Sequence, residues 1–416
     1  SNIGDVTTAI VILFLIGAIS GTWTVSGIVP TFIYYGVKII SPKVFLLTAC
    51  IICALVSVTI GSSWTTIATI GVALLGIGKA LGFSDGMIAG AIISGAYFGD
   101  KISPLSDTTV LASSMSKVPM FDHIRYLMYT TVPSIVITLV IFTILGFSHS
   151  GSDSSLINEY TSVLDSKFNI TPWLLIVPAL TAVMIARRMP ALIVLALSTA
   201  TAAIAAIIFQ PDIIREIGAS IAGDGSNAKI LFTGTIESIY NSVSIETGNP
   251  EVNQLVASKG MLGMLNTVYL IICAMCFGGA MSASGMVGGI TRLFIHLIKG
   301  RTSLVGCTAT TGLMLNVAIA DQYLCILLTG NMFRDVYDNE GYERRLLSRT
   351  TEDAVTVTSV LVPWNTCGMT QSTVLGVSTF SYLPYCFFNL LSPLMSVVVA
   401  ALNYKIFRRK PLAEQN

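Results

Sequence analysis

The chain has 416 residues, 53% of them hydrophobic and only 11% charged, with a mean hydropathy of +0.77. An average soluble domain carries about 25% charged residues, so a water-facing globule is excluded. The near balance of 23 basic and 22 acidic residues, with no basic domain, argues against nucleic-acid binding.

Eight apolar runs are each about long enough to cross a bilayer, so the fold class is an all-α polytopic membrane protein. Clean crossings are expected at 5–27, 124–147, 170–187, 190–208, 262–283 and 381–407. Runs 83–116 and 350–379 are also long enough, but proline and polar residues break them. Two further runs, 43–79 and 303–333, have polar centres: Gly61-Ser62-Ser63-Trp64-Thr65-Thr66 and Ala320-Asp321-Gln322. A re-entrant hairpin would place each centre at a tip surrounded by protein, where irregular backbone is tolerated. Segments 28–41 and 286–300 are short and amphipathic, suited to the membrane interface. Segments 148–169 and 209–261 read as polar loops. The first apolar run starts almost at once, and no cleavable signal peptide is expected.

The order of elements repeats. Ser26-Gly27 falls on Ser284-Gly285, 258 residues later. Ile60–Trp64 falls on Ile319–Tyr323, Gly71 on Gly330 and Pro104 on Pro363, all at 259. So small a slip over so long a span indicates an internal duplication. Residues 5–147 form the first repeat, 148–261 a connecting region with two helices (170–187 and 190–208), and 262–407 the second repeat. The basic tail Lys405, Arg408, Arg409 and Lys410 is expected to be cytoplasmic. Threading eight crossings back from it puts most other basic residues on the same side, Lys117, Arg125, Arg187 and Arg188 among them. The two repeats then have opposite orientations, the pattern of secondary transporters.

The strongest chemical signal is Gly99-Asp100-Lys101-Ile102-Ser103-Pro104-Leu105-Ser106-Asp107-Thr108-Thr109, set between apolar stretches. Pro104 removes a backbone donor and frees carbonyls upstream. Carbonyl, hydroxyl and carboxylate oxygens are the hard ligands that a dehydrated Na⁺ or Li⁺ needs. Asp100, Asp107, Ser103, Ser106, Thr108 and Thr109 supply such oxygens here, and Ser62, Ser63 and Thr65 supply more at the hairpin tip. A plainer reading has Asp100 and Lys101 neutralise each other while the hydroxyls cap helix ends; Asp107 would still lack a partner.

In the second copy, Asn365 occupies the place of Ser106 and Thr366 that of Asp107. Its charge has moved to Asp321 at the hairpin tip and to Glu352-Asp353. Asp321, with no basic residue near it in sequence, is a candidate ion or proton site. Asp353 either joins that site or pairs with Arg349 in a structural role at the cytoplasmic entrance. The three histidines, His123, His149 and His296, read as polar residues at helix ends or loops. Cys50-x-x-Cys53 and Cys273-x-x-Cys276 lie inside apolar runs and read as small packing residues. Without a phosphate-binding glycine loop, a Ser/His/Asp set or HExxH, an ATP-driven pump or a protease has little support, and no enzyme activity is expected.

Gly-Asp-Lys-Ile-Ser-Pro-Leu-Ser-Asp-Thr-Thr at 99–109, Gly-Ser-Ser-Trp-Thr-Thr at 61–66 and Val-Pro-Trp-Asn-Thr-Cys-Gly at 362–368 resemble the NhaC family of Na⁺/H⁺ antiporters. That family includes relatives that exchange malate and protons for lactate and Na⁺. The resemblance spans about residues 5–407 and implies inverted repeats, each with a re-entrant hairpin and a broken helix, in a homodimer of the cell membrane. It implies Na⁺ and H⁺ as cargo and no cofactor. Under this reading Na⁺ sits at Asp107, Ser62, Ser63 and Ser106, with Asp100 assisting, and protonation releases it. The alternative is an exchanger of small organic acids coupled to Na⁺ and H⁺, with Lys101 and the amides around Asn365 holding a carboxylate.

Overall fold

The computed structural model describes residues 7–148, 154–187, 189–223, 226–286, 289 and 296–408. Most of these are helical. The sheet among them is a two-residue antiparallel ladder, Val243–Ser244 against Ala257–Ser258. His149 and most of segment 286–300 lie outside the described residues.

Six of the described helices are long and apolar enough to cross a membrane: Pro42–Ile60, Ser63–Ala80, Met120–Ser148, Leu192–Phe209, Leu262–Met281 and Arg301–Ile319. Three bent pairs raise the number to nine if each is one span: Ile10–Val25 with Ile28–Ile39, Asn158–Lys167 with Pro172–Met184, and Thr379–Tyr385 with Phe387–Ala401. The chain is therefore an all-α polytopic membrane protein. Apolar residues on its outer surface fit a hydrocarbon solvent. On Met120–Ser148, Val132, Val136, Val140 and Ile144 are exposed at intervals of four, while Thr130, Ser134 and Thr138 are fully buried. Such a continuous apolar stripe would be a liability in water.

Several segments differ from the reading of the sequence alone. Both arms of run 43–79 are individually long enough to cross, whereas neither broken helix meets the same standard. Asp85–Ile102 carries Asp85, Asp100 and Lys101 within 18 residues, and the second broken run is divided into pieces of at most ten residues. The crossing expected at 170–187 is divided into a 3₁₀ turn, Pro172–Leu175, and a helix, Ile176–Ala186. The two expected polar loops contain helices, Ser154–Lys167, Pro211–Ala222 and Asn227–Tyr240. The last two cross at glycines: a Cβ on Gly218 would lie 2.0 Å from Ile230 O, and one on Gly234 2.1 Å from Ile214 O. Such contacts have no local signature. Of the two cysteine pairs, Cys50 and Cys53 pack inside, but Cys273 and Cys276 are exposed rather than packed.

Asp85–Ile102 occupies the centre of the fold, because glycines let it approach two neighbours closely. Cβ atoms on Gly95 and Gly99 would lie 2.1 Å from Cys50 O and 2.4 Å from Ala54 O in Phe45–Ile60. Cβ atoms on Gly86 and Gly90 would meet Ser381 O at 2.2 Å and Tyr385 Cβ at 2.5 Å. Both are small-x-x-x-small pairs, which permit close backbone approach between membrane helices.

The two polar tips share one backbone path. Phe45–Ile60 ends at left-handed Gly61 (φ 71°), Ser62 is extended, and a helix restarts at Ser63. Arg301–Ile319 ends at left-handed Ala320 (φ 63°), Asp321 is extended, and a helix restarts at Gln322. The capping bonds correspond too: Ser62 Oγ accepts from Thr65 N at 3.3 Å, and Asp321 Oδ1 accepts from Leu324 N at 2.9 Å. Gly61 is pressed against Leu105, whose Cβ would lie 2.6 Å from an added Cβ.

The left-handed region costs a non-glycine residue about 1–2 kcal/mol. Gly61→Ala adds that cost to a clash with Leu105 and is expected to lower the thermal unfolding midpoint in detergent by clearly more than Ala320→Gly changes it. Equal effects of the two substitutions would show that the tips are not held as described.

Candidate functional site

The first site forms where the tip at Gly61-Ser62 meets the break after Ile102. Asp85–Ile102 ends at extended Ser103, and a second helix, Asp107–Met115, begins after Ser106. Asp100 is buried on the last turn, and its Oδ2 accepts hydrogen bonds from Ser63 N at 3.2 Å and Ser63 Oγ at 2.7 Å. Its carboxyl thus lies at the start of the helix that resumes at Ser63, where unpaired amides and the helix dipole favour an anion. Ser106 flanks the same carboxyl and pairs its hydroxyl with Thr108 Oγ1 at 2.9 Å. Ser103 Oγ donates to Val58 O at 2.8 Å and Thr109 Oγ1 to Lys101 O at 3.0 Å, fixing the break to the tip. Thr65 Oγ1 donates to Ser62 Oγ at 3.2 Å. Asp107 opens the second helix, is exposed, and makes no hydrogen bond or ion pair with the described residues. Asp100 is therefore the enclosed carboxyl and Asp107 lies at the mouth.

The second break repeats the backbone with other side chains. Asn365 caps the helix Thr366–Leu375, its Oδ1 accepting from Cys367 N at 3.1 Å. Thr366 N donates to Ala320 O at 2.8 Å, and Thr366 Oγ1 reaches Asp321 Oδ2 at 3.4 Å. Gln322 Nε2 and Asn316 Nδ2 donate to the carbonyls of Thr356 and Val355 at 3.0 and 2.8 Å. These amides satisfy carbonyls freed where Glu352–Thr356 adopts a turn of π-helix. Tyr323 lies within electrostatic reach of Asp100, Asp107 and Asp321, so the two breaks share one neighbourhood.

Lys101 and Asp100 do not neutralise each other. Lys101 Nζ forms a fully buried ion pair with Asp353 Oδ1 and donates to Ser392 Oγ at 2.8 Å. Asp353 Oδ1 also accepts from Thr130 Oγ1 at 3.1 Å and Ser392 Oγ at 3.2 Å. Arg349 Nε stands 4.0 Å from Asp353 Oδ2, and its guanidinium lies over the Tyr126 ring, 4.7 Å from the centroid. Asp353 thus has Lys101 as its main partner and Arg349 as a second. It sits inside the protein rather than at an entrance. His123, near the start of Met120–Ser148, is also buried, and its Nδ1 pairs with Ser348 Oγ at 2.8 Å. Glu352, likewise fully buried, was not among the residues expected at a site. Its only sequence signal was a second acid beside Asp353 in an apolar run.

The chain matches the Na⁺/H⁺ antiporter family over residues 3–110 and 95–404. It is 38% identical to the Na⁺/H⁺ antiporter NhaC of Alkalihalophilus pseudofirmus, over 98% of this chain and 84% of that protein. The chain belongs to the Na⁺/H⁺ antiporter family. This antiporter is also 38% identical to a malate-2H⁺/Na⁺-lactate antiporter of Bacillus subtilis, over 94% of its length and 80% of the relative. An arginine/ornithine antiporter, ArcD of Halobacterium salinarum, is 33% identical over 97% of the antiporter and 80% of its own length.

Removing one member of a buried ion pair leaves an uncompensated charge, at about 3–5 kcal/mol, whereas apolar residues in place of both members are far better tolerated. Asp353→Ala is accordingly expected to destabilise the antiporter strongly. The double variant Lys101→Met/Asp353→Leu should recover most of that loss in thermal unfolding. A double variant as unstable as the single one would show that the pair is not what holds this region.

Proposed function

We propose that the chain is a secondary active transporter of the cell membrane that exchanges Na⁺, or Li⁺, for H⁺. The two ions compete for the carboxyl of Asp100, with Asp107 at the mouth. One observation carries the reading: a buried carboxyl is held by neutral donors alone, Ser63 N and Oγ, where two broken elements meet. No cation neutralises Asp100 within ion-pair distance among the described residues, so a transported cation or a proton is the fitting counter-charge. Both bonds from Ser63 fall on Oδ2, and a carboxylate has about four acceptor positions. The remaining ones, with the hydroxyls of Ser62, Ser106 and Thr108, supply the oxygen ligands that a hard cation prefers. Protonating the carboxyl removes the charge and frees the cation.

In this reading residues 5–147 and 262–407 are inverted repeats around the site. The matching breaks at Gly61-Ser62 and Ala320-Asp321 support this, as do the paired caps Ser106 and Asn365. The basic tail supports a cytoplasmic C-terminus. The reading also includes assembly as a homodimer. Asp321 and Thr366 complete the second break, and Thr109 and Ser103 brace the first rather than touch the ion.

The second reading, a Na⁺- and H⁺-coupled exchanger of small organic acids, is favoured by one comparison, the malate–lactate relative. Of its two anion anchors, Lys101 is already engaged by Asp353, which leaves Asn365.

Proteoliposomes carrying a pH-sensitive dye separate the two. Addition of Na⁺ with no organic acid is expected to move protons in the wild type, and Asp100→Asn and Asp107→Asn are each expected to abolish that movement. Exchange that stays silent until malate or lactate is supplied would replace the first reading with the second. Undiminished exchange in either variant would remove that residue from the site.

A further inference from the structure

Glu352 stands apart from the carboxyls already assigned. It opens the π-helical turn Glu352–Thr356 and is fully buried, with the Thr356 hydroxyl of the same turn as a nearby donor and no hydrogen bond of full geometry on either carboxyl oxygen. An ionised carboxylate buried with so few donors is costly, whereas a protonated one has a single O–H to place. Three charged groups lie within electrostatic reach: Lys101, Asp100 and Asp353. Arg349, one turn earlier on the same helix, keeps all three guanidinium nitrogens free of hydrogen bonds.

The elements packed on this turn add little further charge. Phe387–Ala401 has no ionisable residue, and Arg301–Ile319 has Arg301, which bonds Ala400 O, and Cys307. Asp107–Met115 brings Asp107. Of the ionisable residues on Gln322–Asn339, Tyr337 pairs with Thr308, Arg334 bonds Met115 O, and Asp338 pairs with Arg344. Tyr323, Cys325 and Asp335 complete that helix. The local balance is therefore two cations, Lys101 and Arg349, against three acids, Asp353, Glu352 and Asp100. It carries one negative charge when Glu352 and Asp100 are both ionised, and is neutral when either is protonated or a cation sits at Asp100. The cations compensate the ionised form and the scarcity of donors favours the neutral form, so neither state is prohibitive.

We propose that Glu352 is a second proton-carrying site, distinct from the Asp100 carboxyl that takes the cation. A proton binds one carboxyl oxygen from water on one side of the membrane and leaves that oxygen to water on the other. Lys101, Arg349 and Asp353 hold the charge balance while it does so. Glu352 also lies within reach of Asp100, so the charge state of each carboxyl is felt by the other, which couples the proton to the cation. His123, with Nδ1 on Ser348 and Nε2 unbonded, extends this polar region toward the start of Met120–Ser148.

The inference rests on the antiport reading, and two fluxes in proteoliposomes keep their tests separate. Radiolabelled Na⁺ counterflow, with Na⁺ on both sides, reports the cation site without net proton movement; Na⁺-driven proton movement reports coupling. Glu352→Gln is expected to keep counterflow near wild type and to move fewer protons per Na⁺. Glu352→Asp, which keeps a carboxyl on the same turn, is expected to retain coupling with a shifted pH profile. A wild-type proton-to-Na⁺ ratio in Glu352→Gln overturns the proposal, as does loss of both fluxes in a variant that stays monodisperse. If Glu352→Gln does not fold, Glu352→Asp decides: a pH profile identical to wild type overturns it. A wild-type protein that moves no protons on Na⁺ addition fails the antiport reading instead.

Discussion

A lysine and an aspartate sealed from water join the two halves of this chain. Lys101 belongs to the first broken element and Asp353 to the second, 252 residues away in sequence. Each alone would be prohibitive at this depth, so the two breaks are stable only when brought into register with one another. Thr130 and Ser392 complete the arrangement from two further helices. Four elements are thereby fixed around one ionic contact. Asp100 precedes Lys101 directly, so the contact also fixes where the Asp100 carboxyl stands relative to the tip at Ser63.

The two breaks show how one backbone path serves different chemistry. Each has a helix ending in a left-handed residue, an extended cap and a restarted helix facing a second interruption. In the first, the cap is neutral Ser62, and the acid, Asp100, comes from the facing helix to meet the free amides. In the second, the cap itself is the acid, Asp321, and the facing cap is the neutral Asn365. Asp321 is thus used to satisfy the amide of its own helix at Leu324, a role Ser62 fills at the first tip. The charge difference between the two breaks shows which acid is tied to its own helix and which is presented to a partner.

Much of this organisation was legible in the sequence because it is written locally. Pro104 and Pro363 announce breaks, Gly61 announces a left-handed turn, and the near-constant spacing of 259 residues pairs them. The polar segment 99–109 stood out because charges are rare in apolar runs. What was not legible depends on contacts between distant segments. The pairing of Lys101 with Asp353 rather than with adjacent Asp100 is set by packing across both halves. His123 lies near a helix start, where solvent is the ordinary expectation, yet Ser348 from another element encloses it. The close crossing of the helices Pro211–Ala222 and Asn227–Tyr240 at Gly218 and Gly234 is likewise a contact that no local pattern records.

The carboxyls of the interior can be ranked by what already satisfies them. Asp353 is neutralised by Lys101 and approached by Arg349, so a further cation there would have to displace a covalently tethered one. Asp321 caps its own helix through Leu324 and meets Thr366. Asp100 is bonded by neutral donors only, which orient it without cancelling its charge. Under the proposed reading that difference matters most, because hydrogen bonds hold the site in shape while leaving the net charge that attracts a cation. An ion pair would have given the same rigidity and removed the attraction. Under that reading the roles separate: the paired charges at 101 and 353 hold the two breaks together, and the neutral-bonded carboxyl of Asp100 beside them is left to exchange its counter-charge.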